Sequence, residues 1–395
     1  MFRRLSLLCG LALTLVSSAQ PTIVIDAGVT GKNPKLAIAS FSGPDSIRAS
    51  LASVLGACGW FEVTPAAAGA QYQLSAEYQA GSPAQLAVRV AARDGGGFSF
   101  TQPGLPGEAP EEVVYRAVDT VITKLFKVPG PCAKPIAFVV GASGNLKEVF
   151  TSRFDGTNQR RLTHNNSIST EPAWGPNSAS MVYTTYAANM TSVILIDTAH
   201  NRQRRISRFP GLNSSAALSP NGKLVALSLS RDQRVDLYLL DVQSNALRRL
   251  TQDGAVESSP CWSPDGREIC YVSDARGRPQ LFRIPSGGGS PAPLMNSREE
   301  TVSPDWCAVT NRICFSRRMG NQYAIGVYDL KSGKSEILTR AAGDWESPSW
   351  APDGRHIVCS RQVGANQSLY IIDSLLKTSR PLTRGGDHSL PSWGK

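Results

Sequence analysis

The residue types that most often carry catalysis or bind metals show no catalytic spacing in this chain of 395 residues. None of the four histidines belongs to an HExxH motif, and the cysteines form no CxxC pair or mixed Cys/His ligand set. A serine nucleophile of the α/β-hydrolase type requires a GxSxG turn, which the sequence lacks. We therefore expect no catalytic residue, no metal site and no cofactor.

Cysteine is the remaining reactive residue type, and seven cysteines follow Cys9. Because seven is odd, at least one is unpaired within a monomer. Cys270 and Cys314 lie 44 residues apart, and the regular spacing suggests small apolar fillers of strands. Cys58 and Cys132 could pair across the N-terminal region, but the sequence does not fix their connectivity.

The elements that position these residues repeat every 44 residues. The stretch CWSPDGREICYVS (261–273) has counterparts in ALSPNGKLVALS (217–228) and SWAPDGRHIVCS (349–360). Each copy reads as four short strands joined by turns, which is typical of a propeller blade. An apolar anchor, expected to fill the space between blades, ends the first strand of each copy: Trp174, Leu218, Trp262, Trp306, Trp350 and Trp393.

The two ends of the repeat region complement each other. Residues 135–163 supply only the second, third and fourth strands of a blade, whereas residues 388–395 supply a lone first strand. Pairing these two pieces closes the ring and removes exposed sheet edges. Since residues 134–395 span close to six repeats, we predict a six-bladed propeller over residues 135–395. A divalent ion in its central channel is left open and is not predicted.

The first third of the chain lacks the repeat. Residues 35–127 alternate strand-like and helix-like patterns, which predicts a small α/β domain, and residues 128–134 form a proline-containing linker. The fold class is therefore mainly β, with a small α/β domain before the propeller.

The first nineteen residues resemble a secretory signal. Arg3 and Arg4 precede an apolar run from Leu5 to Val16, and small residues follow up to Ala19. We expect cleavage after Ala19 and export, without direct membrane insertion, because no segment is long and apolar enough to span a bilayer. Residues 20–34 then form either an ordinary edge strand or a detachable tail.

Three features occur together: a signal followed by TIVIDAGVTG (22–31), a small α/β domain with a proline-rich linker, and propeller repeats closed by PSWGK (391–395). This combination resembles the TolB family, the periplasmic component of the Tol-Pal system of Gram-negative bacteria. The resemblance implies a non-enzymatic adaptor that supports outer-membrane integrity and constriction at division. It also implies TolA binding through the tail, carried here by Ile23, Val24, Ile25, Asp26 and Gly28.

The resemblance also implies that the propeller binds the lipoprotein Pal through the loops that enter the anchor strands. We expect a monomer that also meets other envelope proteins and does not bind nucleic acid. The Pal-binding residues expected from these loops and their neighbours are Asn166, Glu171, Phe209, Leu212, Asn213, Ser258, Arg276, Arg278, Glu299, Trp345 and His388.

Charge adds a second line of argument for this surface. In the third to sixth blades, the loops between second and third strands carry arginines. These are Arg231, Arg234, Arg276, Arg278, Arg317, Arg318 and Arg361. They predict an arginine rim that steers an acidic protein towards the apolar and amide groups of the central loops, where Phe209, Leu212 and Trp345 are the expected anchors. The alternative is a solubilising surface, because the whole chain has a net charge of +10.

Two other classes of function stay open at this point. A propeller peptidase would need a catalytic domain of roughly 200 further residues, so the chain would be at most a remnant of one. A propeller that binds glycans or peptides without a role in the Tol-Pal system is disfavoured mainly by the tail motif, residues 23–28.

Overall fold

A computed structural model describes residues 32–65, 67–142, 145–187, 190–231 and 234–395. The N-terminal domain is a five-stranded sheet in the order β2-β1-β3-β4-β5, in which β1 runs parallel to β2 and β3. The remaining pairs in this sheet are antiparallel. Its strands are β1 Lys35–Ser42, β2 Glu62–Thr64, β3 Tyr72–Gln79, β4 Gln85–Ala92 and β5 Gly97–Pro103.

Two helices pack together with this sheet, α1 (Asp45–Ala57) and α2 (Glu112–Phe126). Pro44 precedes α1 with an extended backbone, and Gly59 follows its end at φ 78°, a conformation that favours glycine. In α2 the buried residues recur at helical spacing, so one face joins the domain core. Neither helix within the described residues has the length and apolar character needed to cross a membrane.

Six blades of four strands follow, within the described residues. This part of the chain forms the outer three strands of the first blade, β6 Ile136–Gly141, β7 Lys147–Ser152 and β8 Arg160–Arg161. The second blade contains β9 Ile168–Trp174, β10 Ser180–Ala187, β11 Met190–Asp197 and β12 Arg202–Ser207. The third contains β13 Asn213–Leu218, β14 Leu224–Leu229, β15 Asp236–Asp241 and β16 Leu247–Arg249.

The later blades repeat this pattern. The fourth contains β17 Glu257–Trp262, β18 Glu268–Ser273, β19 Gln280–Pro285 and β20 Ala292–Pro293. The fifth contains β21 Thr301–Trp306, β22 Arg312–Met319, β23 Gln322–Asp329 and β24 Lys334–Ile337. The sixth contains β25 Asp344–Trp350, β26 His356–Val363, β27 Asn366–Asp373 and β28 Thr378–Pro381.

The last strand, β29 (His388–Trp393), closes the ring. It pairs antiparallel with β6, from His388 opposite Val140 to Trp393 opposite Ile136. The first blade is therefore assembled from both ends of the propeller region, and the predicted fold class is confirmed. The apolar anchors at the ends of the inner strands are all buried, as expected for residues between blades.

Each inner strand contains a β-bulge with one residue in the left-handed region. The φ angles lie between 48° and 53°, and the residues are Glu171, Ser215, Ser259, Ser303, Ser347 and Leu390. Since a bulge bends the strand and breaks its alternation, these residues form a ring that lines the central channel.

The propeller has two faces. The loops between second and third strands and the loops between blades form one face, which we call the hairpin face; in the fourth blade these are residues 274–279 and 294–300. The turns between first and second strands and between third and fourth strands form the turn face, here residues 263–267 and 286–291. The N-terminal domain packs against the turn face of blades 1 and 6.

Candidate functional site

Most of the predicted Pal-binding residues lie on the hairpin face. Arg276 and Arg278 are exposed in the β18–β19 hairpin, and Glu299 is exposed in the next loop between blades. Asn166 is also exposed, in the loop that enters β9. The half-buried members of the set are Phe209, Leu212, Ser258 and His388. The structure thus brings residues from several separate repeats onto one surface.

Arginines of the rim are held in place by aromatic rings. The guanidinium of Arg231 lies 5.4 Å from the Phe209 ring centroid, and that of Arg276 lies 5.9 Å from Phe282. Arg361 lies 4.8 Å from Trp345. Cation–π contacts of this kind fix the direction of a long side chain. The hairpin face therefore presents these positive charges in defined positions.

Trp345 differs from its expected role as an exposed anchor. Its side chain is 1% exposed, and its indole N–H donates to the Ala341 carbonyl at 2.9 Å. Its ring meets Tyr370 edge-on, with centroids 5.1 Å apart, and Arg361 covers it. Trp345 is the second residue of the inner strand β25, and its buried ring supports the Arg361 side chain that lies over it.

Asn213 is also buried, in contrast to the expected partner contact. Its Oδ1 accepts hydrogen bonds from the Phe209 backbone N–H (2.8 Å) and the Ser207 hydroxyl (2.6 Å). Its Nδ2 donates to the Phe209 and Gly211 carbonyls at 2.7 and 3.1 Å. All of its hydrogen-bonding capacity is used within one loop, so Asn213 shapes the loop that presents Phe209 and Leu212.

Glu171 lies inside the channel. Its carboxylate accepts hydrogen bonds from the Thr184 hydroxyl (2.8 Å) and from the Ser215 backbone N–H (2.8 Å) and hydroxyl (3.1 Å). These bonds link blades 2 and 3 beside a channel cavity of about 450 Å³. Across the cavity, Lys395 forms an ion pair with Asp305 at 2.9 Å. Within the described residues no three His, Cys, Asp or Glu side chains are grouped so as to hold a metal ion.

Sequence reasoning missed the exposed apolar residues at the hairpin tips. Of the six large apolar side chains that are exposed in the described part of the chain, five lie on the hairpin face: Leu146, Tyr186, Val256, Met319 and Val363. For Tyr186, Met319 and Val363 the signal was strand length, because the second strands of blades 2, 5 and 6 have eight residues whereas those of blades 1, 3 and 4 have six. The extra pair carries an apolar residue beyond the core.

A buried carboxyl group lies just below this face. Glu257 is 0% exposed, and its Oε2 accepts a hydrogen bond from the Thr251 hydroxyl at 2.6 Å. Burial, with further contributions from the neighbouring Asp253 and Asp236, raises the pKa of Glu257 to about 8. Asp236 itself is paired with Arg249 at 2.7 Å. Glu257 therefore changes its charge near neutral pH, next to Ser258.

The turn face uses its charged groups to hold the N-terminal domain. The Trp60 indole N–H donates to Asp353 at 3.0 Å, and Asp353 also contacts His356 at 2.6 Å. Arg355 pairs with Asp373 at 2.6 Å and stacks on Trp60. Burial opposes ionisation of both carboxyl groups, but His356 and Arg355 hold the pKa values of Asp353 and Asp373 below the usual range.

The expected TolA-binding residues Ile23, Val24, Ile25, Asp26 and Gly28 lie outside the described residues. Close to where the description begins, Asn33 accepts a hydrogen bond from Arg355 at 2.7 Å and donates one to the Gly59 carbonyl at 2.8 Å. Asn33 thus belongs to the hydrogen-bond network of the turn face.

The chain is similar to known proteins in both sequence and structure. A "Tol-Pal system protein TolB" from Desulfosudis oleivorans is 31% identical over 91 residues, which cover 23% of this chain and 20% of that protein's length. A crystal structure of TolB from Acinetobacter baumannii superimposes with a TM-score of 0.83 at 22% identity, covering 92% of this chain and 97% of the other. A putative TolB from Agrobacterium tumefaciens gives a TM-score of 0.52 at 16% identity, with 64% and 90% covered.

The two structural matches show a shared fold, and the match of the sequence to a family model shows the family. The model of the TolB beta propeller domain matches residues 123–395, which include all six blades and their closing strand. The chain therefore belongs to the TolB beta propeller domain family.

Proposed function

We propose that this protein is a non-catalytic periplasmic adaptor of the Tol-Pal system, which binds Pal through the hairpin face and TolA through the tail of residues 20–33. In this role it supports outer-membrane integrity and constriction at division. The observation that carries the proposal is the hairpin face itself, where exposed apolar tips stand among aromatic-stacked arginines. The curated relative named as a Tol-Pal system protein supports the same role.

The composition of the hairpin face suits recognition of a protein. Apolar side chains such as Met319 and Val363 are each 50% exposed, and they stand at the tips of neighbouring blades. Apolar patches bordered by polar groups mark interaction sites, and arginine is enriched in the centres of protein interfaces. The arginines increase the rate of encounter with an acidic partner, while the apolar tips provide the contact area that is removed from water.

The tail suits a separate partner. Fourteen residues, 20 to 33, reach about 46 Å when extended, which is enough to leave the domain and pair with an exposed strand of another protein. The tail joins the domain at the network of Asn33 and Arg355, on the turn face. The two proposed partners thus approach from different sides of the propeller.

The proposal is tested by measuring the affinity of the full chain for Pal. We expect Met319→Asp with Val363→Asp to weaken binding at least roughly tenfold, because both changes place a charge in the apolar contact. Leu105→Asp is the matched control, since Leu105 is 58% exposed but lies in the N-terminal domain. It should change the affinity less than about twofold.

Two results would contradict the proposal. Equal affinities of the double variant and the wild type would remove the hairpin face from the interface. Retention of the chain on peptidoglycan fragments, with no retention on Pal, would favour the glycan-binding alternative.

A further inference from the structure

Cys58 and Cys132 come together in the N-terminal domain although 74 positions separate them in sequence. The Cys132 thiol lies near the Cys58 thiol, which itself donates a hydrogen bond to the Leu55 carbonyl at 3.1 Å. Both residues are buried in one apolar core, at 2% and 1% exposure. Cys58 caps the end of α1, whereas Cys132 lies in the segment that leads from α2 to the propeller.

Bonds that do not involve the two sulfur atoms hold the cysteines in place. Asp119 of α2 accepts hydrogen bonds from the backbone N–H groups of Cys132 (2.7 Å) and Ala133 (2.9 Å). On the other side, Arg380 of the propeller donates to the Ala57 carbonyl at 3.1 Å, at the end of α1. The backbones of the two cysteines are therefore positioned independently of the sulfur atoms. A disulfide between them needs their Cβ atoms to lie about 3.5–4.5 Å apart.

We propose that Cys58 and Cys132 form a disulfide when the chain folds in an oxidising compartment. A thiolate of one cysteine attacks a sulfur of a disulfide-carrying oxidant and displaces one of its thiols. The second cysteine thiolate then attacks this mixed disulfide and releases the other thiol. The pair loses two protons and two electrons, and the oxidant disulfide is reduced to two thiols.

The reaction takes place before the domain closes. Burial raises the pKa of the Cys132 thiol well above its ordinary value, so the folded pair holds little thiolate and reacts slowly. The same burial protects the finished disulfide from reductants. The bond joins the end of α1 to the linker, so it ties together the segments that meet the propeller.

A second thiol pair provides an internal comparison. Cys261 and Cys270 are also in contact, but they stand directly opposite each other on β17 and β18. Opposite residues in a sheet keep their Cβ atoms about 4.5–5.5 Å apart, whereas a disulfide needs about 3.5–4.5 Å. The hydrogen bonds of the blade resist this approach, so we expect Cys261 and Cys270 to stay reduced.

Peptide mapping after alkylation without reductant tests the proposal on the exported full-length chain. We expect a cross-linked peptide that contains Cys58 and Cys132, and alkylated Cys261 and Cys270. The same chain made in a reducing compartment should lack the link and gain it when refolded with oxidised glutathione. Alkylation of both Cys58 and Cys132 in the exported and the refolded chain would overturn the proposal.

Thermal melting gives a second measurement. Unfolding the wild-type chain in reductant and refolding it there should lower its Tm by on the order of 10 °C, because the link closes a long loop. Cys58→Ser with Cys132→Ser should melt at the same temperature with and without reductant. The control, Cys261→Ser with Cys270→Ser, should keep the reductant-dependent shift. If only the control variant loses the reductant-dependent shift, the disulfide lies in blade 4 instead. None of these measurements depends on partner binding, so they stand apart from the adaptor proposal.

Discussion

The hairpin face and the turn face are built from the same repeat, yet charged side chains are buried on the turn face and exposed on the hairpin face. On the turn face, Asp353, Arg355 and Asp373 are buried, and they are hydrogen-bonded to one another or to the N-terminal domain. On the hairpin face, Arg276 is exposed over an aromatic ring and Met319 stands half in solvent. The turn face is in contact with the N-terminal domain of the same chain, whereas the hairpin face exposes groups that suit binding of another protein.

The difference shows how a repeat becomes specialised without a change of fold. The turn sequence PDGR occurs in blade 4 (264–267) and in blade 6 (352–355). In blade 4, Asp265 bonds only within its turn, to Ser263 at 2.6 Å and the Arg267 N–H at 3.1 Å. In blade 6, Asp353 makes the same type of turn bonds and adds the contact with Trp60. The neighbouring domain, and not the turn, creates the specialised site.

Asp353→Ala should have the largest effect on stability. It removes the partner of Trp60 and His356 and leaves Arg355 with one counter-charge fewer in a buried site, which costs about 3–5 kcal/mol of the free energy of unfolding. The measurement is urea unfolding followed by tryptophan fluorescence. Asp265→Ala is the matched control, because it loses only turn bonds at an exposed position and should cost less than about 1 kcal/mol. Similar losses in both variants would mean that the turn, and not the domain contact, determines the cost.

The sequence predicted the propeller well because the physical signal was repeated. Six apolar anchors at steps of 44 residues, the last of 43, identify the blades, and the lone strand at residues 388–393 identifies the closure. The helices were also readable, since α2 combines a buried stripe with Glu112 at its start and Lys124 at its end. These features depend on residues that are close together in the sequence, so they can be recognised from one sequence.

The candidate site was less predictable because it depends on contacts between distant segments. Trp345 looked like an exposed loop residue, but tertiary packing against Tyr370 buries it. The PDGR turns of blades 4 and 6 are identical in sequence, so nothing local indicates which one holds the N-terminal domain. Likewise, the contact between the Cys58 and Cys132 thiols follows from the docking of α1 and the linker.

Glu257→Gln should have an intermediate effect that depends on pH. The folded-state pKa of Glu257 is about 8, above its ordinary value of 4.5, so the native chain keeps a proton that the unfolded chain releases. Stability from this group is therefore full below about pH 4.5 and falls as the pH rises towards 8. The glutamine variant keeps the neutral form, and we expect it to be more stable than the wild type by about 4 kcal/mol at pH 8.

Urea unfolding at pH 5 and pH 8 checks this expectation. Glu299→Gln serves as the control, because it makes the same chemical change at an exposed position in the following loop between blades. A wild-type free energy of unfolding that does not fall between the two pH values would show that Glu257 is ionised in the folded protein.

Arg276→Glu with Arg278→Glu should have the smallest effect on stability and a clear effect on association. Both arginines are exposed and lie in a hairpin outside the core, so the free energy of unfolding should change by less than about 0.5 kcal/mol. If they attract an acidic partner, the reversal should slow association with Pal more than it speeds dissociation. The wild-type rate should also fall as salt rises from about 0.05 to 0.3 M, since exposed charges are screened over a Debye length that falls below roughly 10 Å. Stopped-flow binding measures both effects. A wild-type association rate that does not respond to salt would mean that the arginines serve only as a solubilising surface, and the apolar tips alone would then distinguish the hairpin face from the turn face.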